Sequence, residues 1–375
     1  MDFNLSNEQL LLQKTIGEFT KREIEPRASE IDRSLKLPDD LINKMSQLNL
    51  QGMTIPQEYG GGGLSYIDCI LAIEQISYSG TGVWWFVAFT NSIPGSIIQY
   101  GTEEQKDKYL YSIFESNSIP SIQFTEADTG SDPDALTTNV ISSDDHFIIN
   151  GTKRFSTFGS RDGFAIIYAK DEAGKCSAYI IEKNTEGYST GPICELMGSG
   201  GIEAVDVYLD EFKLPKENIL GKSGEGLNIL QSWIADEKIQ QCGACLGIAQ
   251  AALDEAIKYS KFRTVRNKSQ SSLPTIRSML AEMYSQLEAA RWLTYRTAFL
   301  RENRYFNWMI EAAAAKVFVV PAAMKVVELS RRIHGAYGYT REYKIERLYR
   351  AIAGASVIAL SLDINKAVVS SSLVK

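Results

Sequence analysis

Phe124-Thr125-Glu126-Ala127-Asp128-Thr129-Gly130-Ser131-Asp132 packs hydroxyls, acids and a glycine into one short segment just after an apolar run. Gly130 can take a positive φ and lets a backbone approach a ligand closely. Thr125 and Ser131 carry short hydroxyls that can reach a flat heterocycle or a ligand's polar atoms. Taken alone, the segment has the composition of an ordinary loop. Its position gives it weight, because the character of the chain changes on either side of it.

Upstream, residues 1–120 carry helical apolar spacing over Glu8–Ile31, Asp39–Leu48, Ile67–Tyr78 and Glu103–Glu115. Asp39 and Thr102 are expected N-caps, and Gly60-Gly61-Gly62-Gly63 a flexible turn. Downstream, Phe147–Ile149, Gly163–Ala169, Ser177–Glu182 and Ala204–Leu209 are short β-rich runs separated by turn residues, as in a small antiparallel sheet. After Gly221 long helical patterns return at Gly226–Thr264, Thr275–Arg301, Phe306–His334 and from Arg341 onward. Pro321 is expected to kink or break the third of these. The fold class is therefore α+β: an N-terminal helical domain (1–120), a middle antiparallel β-domain (121–223) and a C-terminal four-helix bundle (224–375).

The 375 residues are 44% apolar with a net charge of −7, a soluble composition that disfavours nucleic acid as a partner. Met1-Asp2-Phe3-Asn4 has no cationic or apolar leader, and no apolar run is long enough to span a bilayer. Five cysteines, odd and sparse, fit reduced thiols in a cytoplasm. Cys242-Gly243-Ala244-Cys245 lacks a second ligand pair and reads as helix packing, and two histidines cannot build a metal cluster, so no metal is expected.

Further phrases follow in order. Gly151-Thr152-Lys153-Arg154-Phe155-Ser156-Thr157 succeeds a β-run, and Asp210 to Gly221 closes the β-domain. Tyr259-Ser260-Lys261-Phe262-Arg263 ends a long helix, and Ile333-His334-Gly335-Ala336-Tyr337-Gly338-Tyr339 ends another. With the opening segment, these resemble the acyl-CoA dehydrogenase family of flavoproteins over essentially the whole chain. The resemblance implies bound FAD. Phe124, Thr125 and Ser131 would contact the cofactor. Phe155, where the family usually has tryptophan, would back the flavin ring, and Thr157 would bond its edge. Arg263 matches an arginine that binds the FAD pyrophosphate of a neighbouring subunit, a task suited to its planar fork. Gly335, Ala336 and Gly338 match a backbone approach to the diphosphate. A homo-oligomer, a tetramer built from dimers, is implied. Arg266-Asn267 and Pro274 depart from the family pattern, so the adenine half is altered, with Arg266 adding charge toward phosphate.

Most of the family places its base, a glutamate, where this chain has Ala359, which accepts no proton. The resemblance offers Glu237 instead, in Asp236-Glu237-Lys238, where a few branches direct a glutamate at the same carbon. Lys238, about 100° round the helix, is expected to face away. This combination resembles dehydrogenases of prolyl groups on acyl or peptidyl carrier proteins. The implied reaction is α,β-dehydrogenation of a thioester, with oxygen or an electron-transfer flavoprotein as electron acceptor. The alternatives are a conventional dehydrogenase of short or branched acyl-CoA, and a non-catalytic flavin-binding paralogue.

Overall fold

The structure, a computed structural model, describes residues 4–114 and 118–374. The Met1-Asp2-Phe3 start and Glu115, at the end of the fourth expected helix, lie outside the described residues. Six α-helices come first: α1 (Asn7–Phe19), α2 (Ala28–Ser34), α3 (Asp39–Gln47), α4 (Tyr66–Ser77), α5 (Trp84–Tyr100) and α6 (Glu103–Ser112). The expected continuous helix from Glu8 to Ile31 is divided. A π-turn at Thr20–Ile24 and a 3-10 turn at Glu25–Arg27 separate α1 from α2, because Pro26 cannot donate its share of the ladder. Thr102 caps α6 with a capping box through Gln105, whereas α3 begins after Pro38, with Asp39 already in its first turn beside the helix dipole's positive end. Helix α5 had no periodic signature because nearly all of it is buried, so it has no polar face.

Strands β1 (Ser121–Gln123), β2 (Asn139–Ser142), β3 (His146–Thr157), β4 (Phe164–Lys170), β5 (Cys176–Glu182), β6 (Tyr188–Ile193), β7 (Ala204–Pro215) and β8 (Ile219–Leu220) form one sheet, ordered β6-β7-β3-β2-β4-β5-β8 with β1 on β4. The ladders are antiparallel except β1 against β4 and a single β2–β4 pair, which run parallel. One face of the sheet carries its own apolar cluster around Ile149, Ile167, Tyr179 and Val207. Ile166, Tyr168 and Ile180 point the other way into the core shared by the helices, as the two-residue period of a strand requires.

Helix α7 (Gly226–Phe262) then leads through a hairpin, β9 (Thr264–Val265) and β10 (Lys268–Ser269), into α8 (Pro274–Glu302), α9 (Trp308–His334), α10 (Ile345–Ala353) and α11 (Leu362–Leu373). The long helices α7, α8 and α9 pack mutually, and α11 completes the bundle against α9. Pro321 lies inside α9, which passes through it unbroken. Its neighbours Val319, Val320, Ala322 and Ala323 are buried, so packing holds the helix where one ladder bond is missing.

Candidate active site

Glu126 organises the opening segment. Its buried carboxylate accepts hydrogen bonds from the backbone N–H and hydroxyl of both Thr137 and Thr138, and from Lys153 Nζ at 2.8 Å. Burial alone would raise the Glu126 pKa, but the Lys153 ammonium and the threonine donors hold it down to about 2. Lys153, wholly buried, also donates to the carbonyls of Phe124 and Tyr168. The Arg154 N–H donates to Thr125 O at 2.7 Å, so the turn is clamped along β3. Gly130 does not use the positive φ open to it, and a Cβ there would meet nothing within 4 Å. It borders open space in the cleft.

Phe155 does not lie in a regular strand. The β3–β7 register shifts between Lys153 and Ser156, and Phe155 has φ +54°. This bulge swings its ring outward, leaving it 52% exposed at the cleft. Thr157 follows on the regular ladder and is nearly buried.

One cleft of about 560 Å³ gathers Phe124, Thr125, Ser131, Phe155, Thr157 and Glu237. Trp85, Phe89 and Trp233 add aromatic walls, with Phe89 edge-on to Trp85 at 5.2 Å and to Trp233 at 5.8 Å. The Trp233 indole N–H donates to Ser92 Oγ, tying α7 to α5. The flat, largely apolar opening beside Phe155, with the Thr125 and Thr157 hydroxyls bonded to no other described residue, fits an isoalloxazine ring and its polar edge.

Glu237 is 5% exposed and receives no hydrogen bond from a described residue. Burial raises its pKa, opposed by the Lys316 and Lys238 ammoniums. Its helix is pinned at the preceding residue. Arg301 of α8 grips Asp236 in a fork at 2.7 and 2.8 Å, Tyr66 Oη donates to the Asp236 carbonyl, and the guanidinium lies over the Tyr66 ring at 4.3 Å. Lys238 does not line the cleft, yet it is not solvated either: it is 5% exposed, because α7 is buried on all sides here, and burial lowers its pKa to about 8. Ala359 does border the cleft, with φ +53°, and Leu360 follows at φ +68°. Sequence reasoning missed Lys316 and Arg301. A lone lysine or arginine in a helical pattern reads as a solvated face, and only packing reveals otherwise.

The remaining expected residues form a second group, outside this cleft. Arg263 caps α7, and Gly335 caps α9 with φ +63°. Tyr259 stacks on His334 at 4.3 Å, and Gln270 bridges Arg263 O and Ile333 O, so the two helix ends meet. Arg263 and Arg266 are exposed and have no ion-pair partner among the described residues. Arg266 and Asn267, both at positive φ, form the two-residue turn between β9 and β10. Gly335 and Ala336 are exposed, but Gly338 is buried, and a Cβ there would lie 2.4 Å from Arg331 O. Helix-end packing therefore requires that glycine whatever binds nearby.

Cys242 and Cys245 are buried free thiols within α7, and burial raises both. Among the described residues no His/Cys/Asp/Glu group could hold a metal, and no helix is long and apolar enough to cross a membrane.

Three family models match in order: the acyl-CoA dehydrogenase N-terminal domain over residues 6–116, the middle domain over 121–212 and the C-terminal domain over 224–371. The short-chain-specific acyl-CoA dehydrogenase of Clostridium acetobutylicum is 32% identical, with all of both chains covered. The butyryl-CoA dehydrogenase of Megasphaera elsdenii superposes with a TM-score of 0.96 at 30% identity, again over both whole chains. A prolyl acyl carrier protein oxidase, AnaB, superposes with a TM-score of 0.94 at 25% identity, covering 99% of this chain and all of the other. The chain belongs to the acyl-CoA dehydrogenase family, FAD-dependent oxidoreductases that act on the CH–CH bond of acyl thioesters.

Proposed function

We propose that the protein dehydrogenates a compact acyl-CoA thioester at its α,β bond, with Glu237 removing the α-proton. One observation carries this reading: a buried carboxylate with no hydrogen-bonded partner among the described residues opens into the cleft, while the usual base position is Ala359. A thioester carbonyl acidifies its α-carbon, and a desolvated carboxylate is a stronger base than one in water. FAD, when bound, supplies the acceptor for the β-hydride. Thr125, Thr157, Ser131 and the outward Phe155 ring would hold the flavin, and Arg263, Arg266 and the Gly335–Gly338 turn would serve the pyrophosphate of a neighbouring subunit in a tetramer. Trp85, Phe89 and Trp233 wall the acyl space, and Trp233 sits one helical turn before Glu237 on the same face of α7. Their bulk favours short, branched or cyclic acyl groups.

A second reading keeps the chemistry and changes the substrate to a prolyl thioester on a carrier protein. Indole and phenyl faces around a carboxylate suit a protonated ring nitrogen. The likeness to the prolyl carrier oxidase supports it, and the butyryl-type relatives support the first.

The test is anaerobic flavin bleaching by butyryl-, isobutyryl- and prolyl-thioesters, the last on CoA and on a carrier protein. Glu237→Gln should keep FAD and substrate binding and lose flavin reduction by about a hundred- to ten-thousand-fold. Reduction by Glu237→Gln at the parental rate overturns the base. Reduction of the parent by carrier-bound prolyl alone overturns the CoA reading.

A further inference from the structure

Lys316, on α9, is completely buried, and no carboxylate of the described residues is hydrogen-bonded to it. It donates instead to three successive carbonyls of one loop: Ile358 O, Ala359 O at 3.2 Å and Leu360 O at 2.7 Å. Asn365 of α11, equally buried, reaches the same stretch from the next helix, at 3.5 Å to Ala359 O, 3.1 Å to Leu360 O and 2.9 Å to Ser361 O. Ala359 and Leu360 both hold left-handed φ, a strained conformation for non-glycine residues that persists only where surroundings over-determine it. No regular element explains this conformation. The convergence of carbonyls on one ammonium does.

The geometry has a consequence on the opposite side of the loop. In a trans peptide the N–H points away from the C=O of the same plane, and no peptide bond among the described residues is cis. Turning the Ile358 and Ala359 carbonyls toward Lys316 therefore turns the Ala359 and Leu360 N–H groups away from it. Neither N–H donates to a described residue, and Ile358, Ala359 and Leu360 line the cleft that contains Glu237, whereas Lys316 does not.

We propose that Lys316 is a positioning residue which, with Asn365, gathers the loop carbonyls from behind so that the Ala359 and Leu360 amides face the cleft and bind the substrate's thioester oxygen. This rests on the thioester reading above. The ammonium touches no substrate atom; it acts through the backbone it holds. Alanine at position 359 thus loses the proton acceptor of that position but keeps a backbone donor. An enolate forming on the thioester oxygen would be met by amides already oriented, which need no reorganisation as charge develops.

The test separates orientation from proton transfer. In the Glu237→Gln holoenzyme, where substrate binds without turnover, the thioester C=O stretch of bound butyryl-CoA is read by isotope-edited infrared difference spectroscopy. Lys316→Met is added to that background, with FAD content and thermal midpoint as folding controls. The expected result is a red-shifted C=O stretch that relaxes toward its aqueous position in Lys316→Met, with binding largely retained. In the otherwise parental enzyme, Lys316→Met should lower the flavin-reduction rate constant by on the order of a hundredfold, as for loss of one oxyanion donor. If Lys316→Met does not fold, Asn365→Ser, which removes the second donor to the same carbonyls, should relax the stretch in part. An unchanged stretch in the folded variant overturns the proposal and leaves Lys316 as the counter-charge of Glu237. That outcome is distinct from failure of the base assignment, which shows as undiminished reduction by Glu237→Gln.

Discussion

At the scale of single residues, the site is built by buried charges whose partners are not their sequence neighbours. Glu126 and Lys153 form such a pair, 27 positions apart and both sealed from water. Removing one member strands the other. Lys153→Met should destabilise the protein by about 3–5 kcal/mol in urea unfolding, and FAD retention should fall because the Thr125 turn loses its clamp. The pH dependence of this pair has a definite sign. The Glu126 pKa is depressed, so its stabilisation is present above the ordinary value of 4.5 and is lost as pH falls toward about 2. Glu237 has the opposite sign, since burial raises it. As a base it must be ionised. The flavin-reduction rate constant should therefore rise with pH through a midpoint above the ordinary carboxylate value of 4.5, and a midpoint at or below that value would exclude Glu237 as the group titrating. The opening segment drew notice to Thr125 and Ser131, which border the cleft, but gave no hint that Glu126 was its keystone. An acid beside threonines is common in loops, and its role depends on a lysine brought from another strand.

At the scale of elements, α7 does most to define the reaction space. It presents Trp233 and Glu237 one turn apart, and Arg301 and Tyr66 lock it at Asp236. If Trp233 closes the acyl end, Trp233→Ala should raise kcat/KM for hexanoyl- relative to butyryl-thioester by about tenfold or more, since each accommodated methylene is worth about that much. An unchanged ratio would move the boundary to Trp85 or Phe89. Element recognition from sequence succeeded at α6, which has a solvated face, and failed at α5, which has none. Thr102 and the amphipathic α6 are visible, whereas α5 is apolar all round. The same physics hid the buried side of α9: Lys316 occupies a position that reads as polar face, yet it lies wholly inside.

At the scale of the whole molecule, the expected cofactor residues fall into two separate groups. The cleft holds the groups suited to the flavin ring, and the joined ends of α7 and α9 hold Arg263, Arg266 and Gly335 outside it. An exposed arginine without an ion-pair partner is suited to phosphate arriving from another chain. Arg263→Ala should leave the thermal midpoint of the apoprotein nearly unchanged while lowering FAD content on purification. Light scattering should show the parent as an oligomer, and a flavin-replete monomer would refute the shared-site arrangement.

The sequence by itself determined the order of the three regions and the family. These depend on local patterns: apolar periodicity, hydroxyl and glycine placement, and short phrases whose spacing survives without knowledge of packing. Alanine at position 359 likewise needed no structure to show that the usual proton acceptor is missing. The tertiary structure alone decided what surrounds Glu237, the candidate replacement. The Phe155 bulge, the burial of Lys238, the grip of Arg301 on Asp236 and the convergence of the loop carbonyls on Lys316 all arise between residues far apart in the chain. Their energies come from desolvation and from the direction of hydrogen bonds, and both are properties of the space around a residue rather than of the residue.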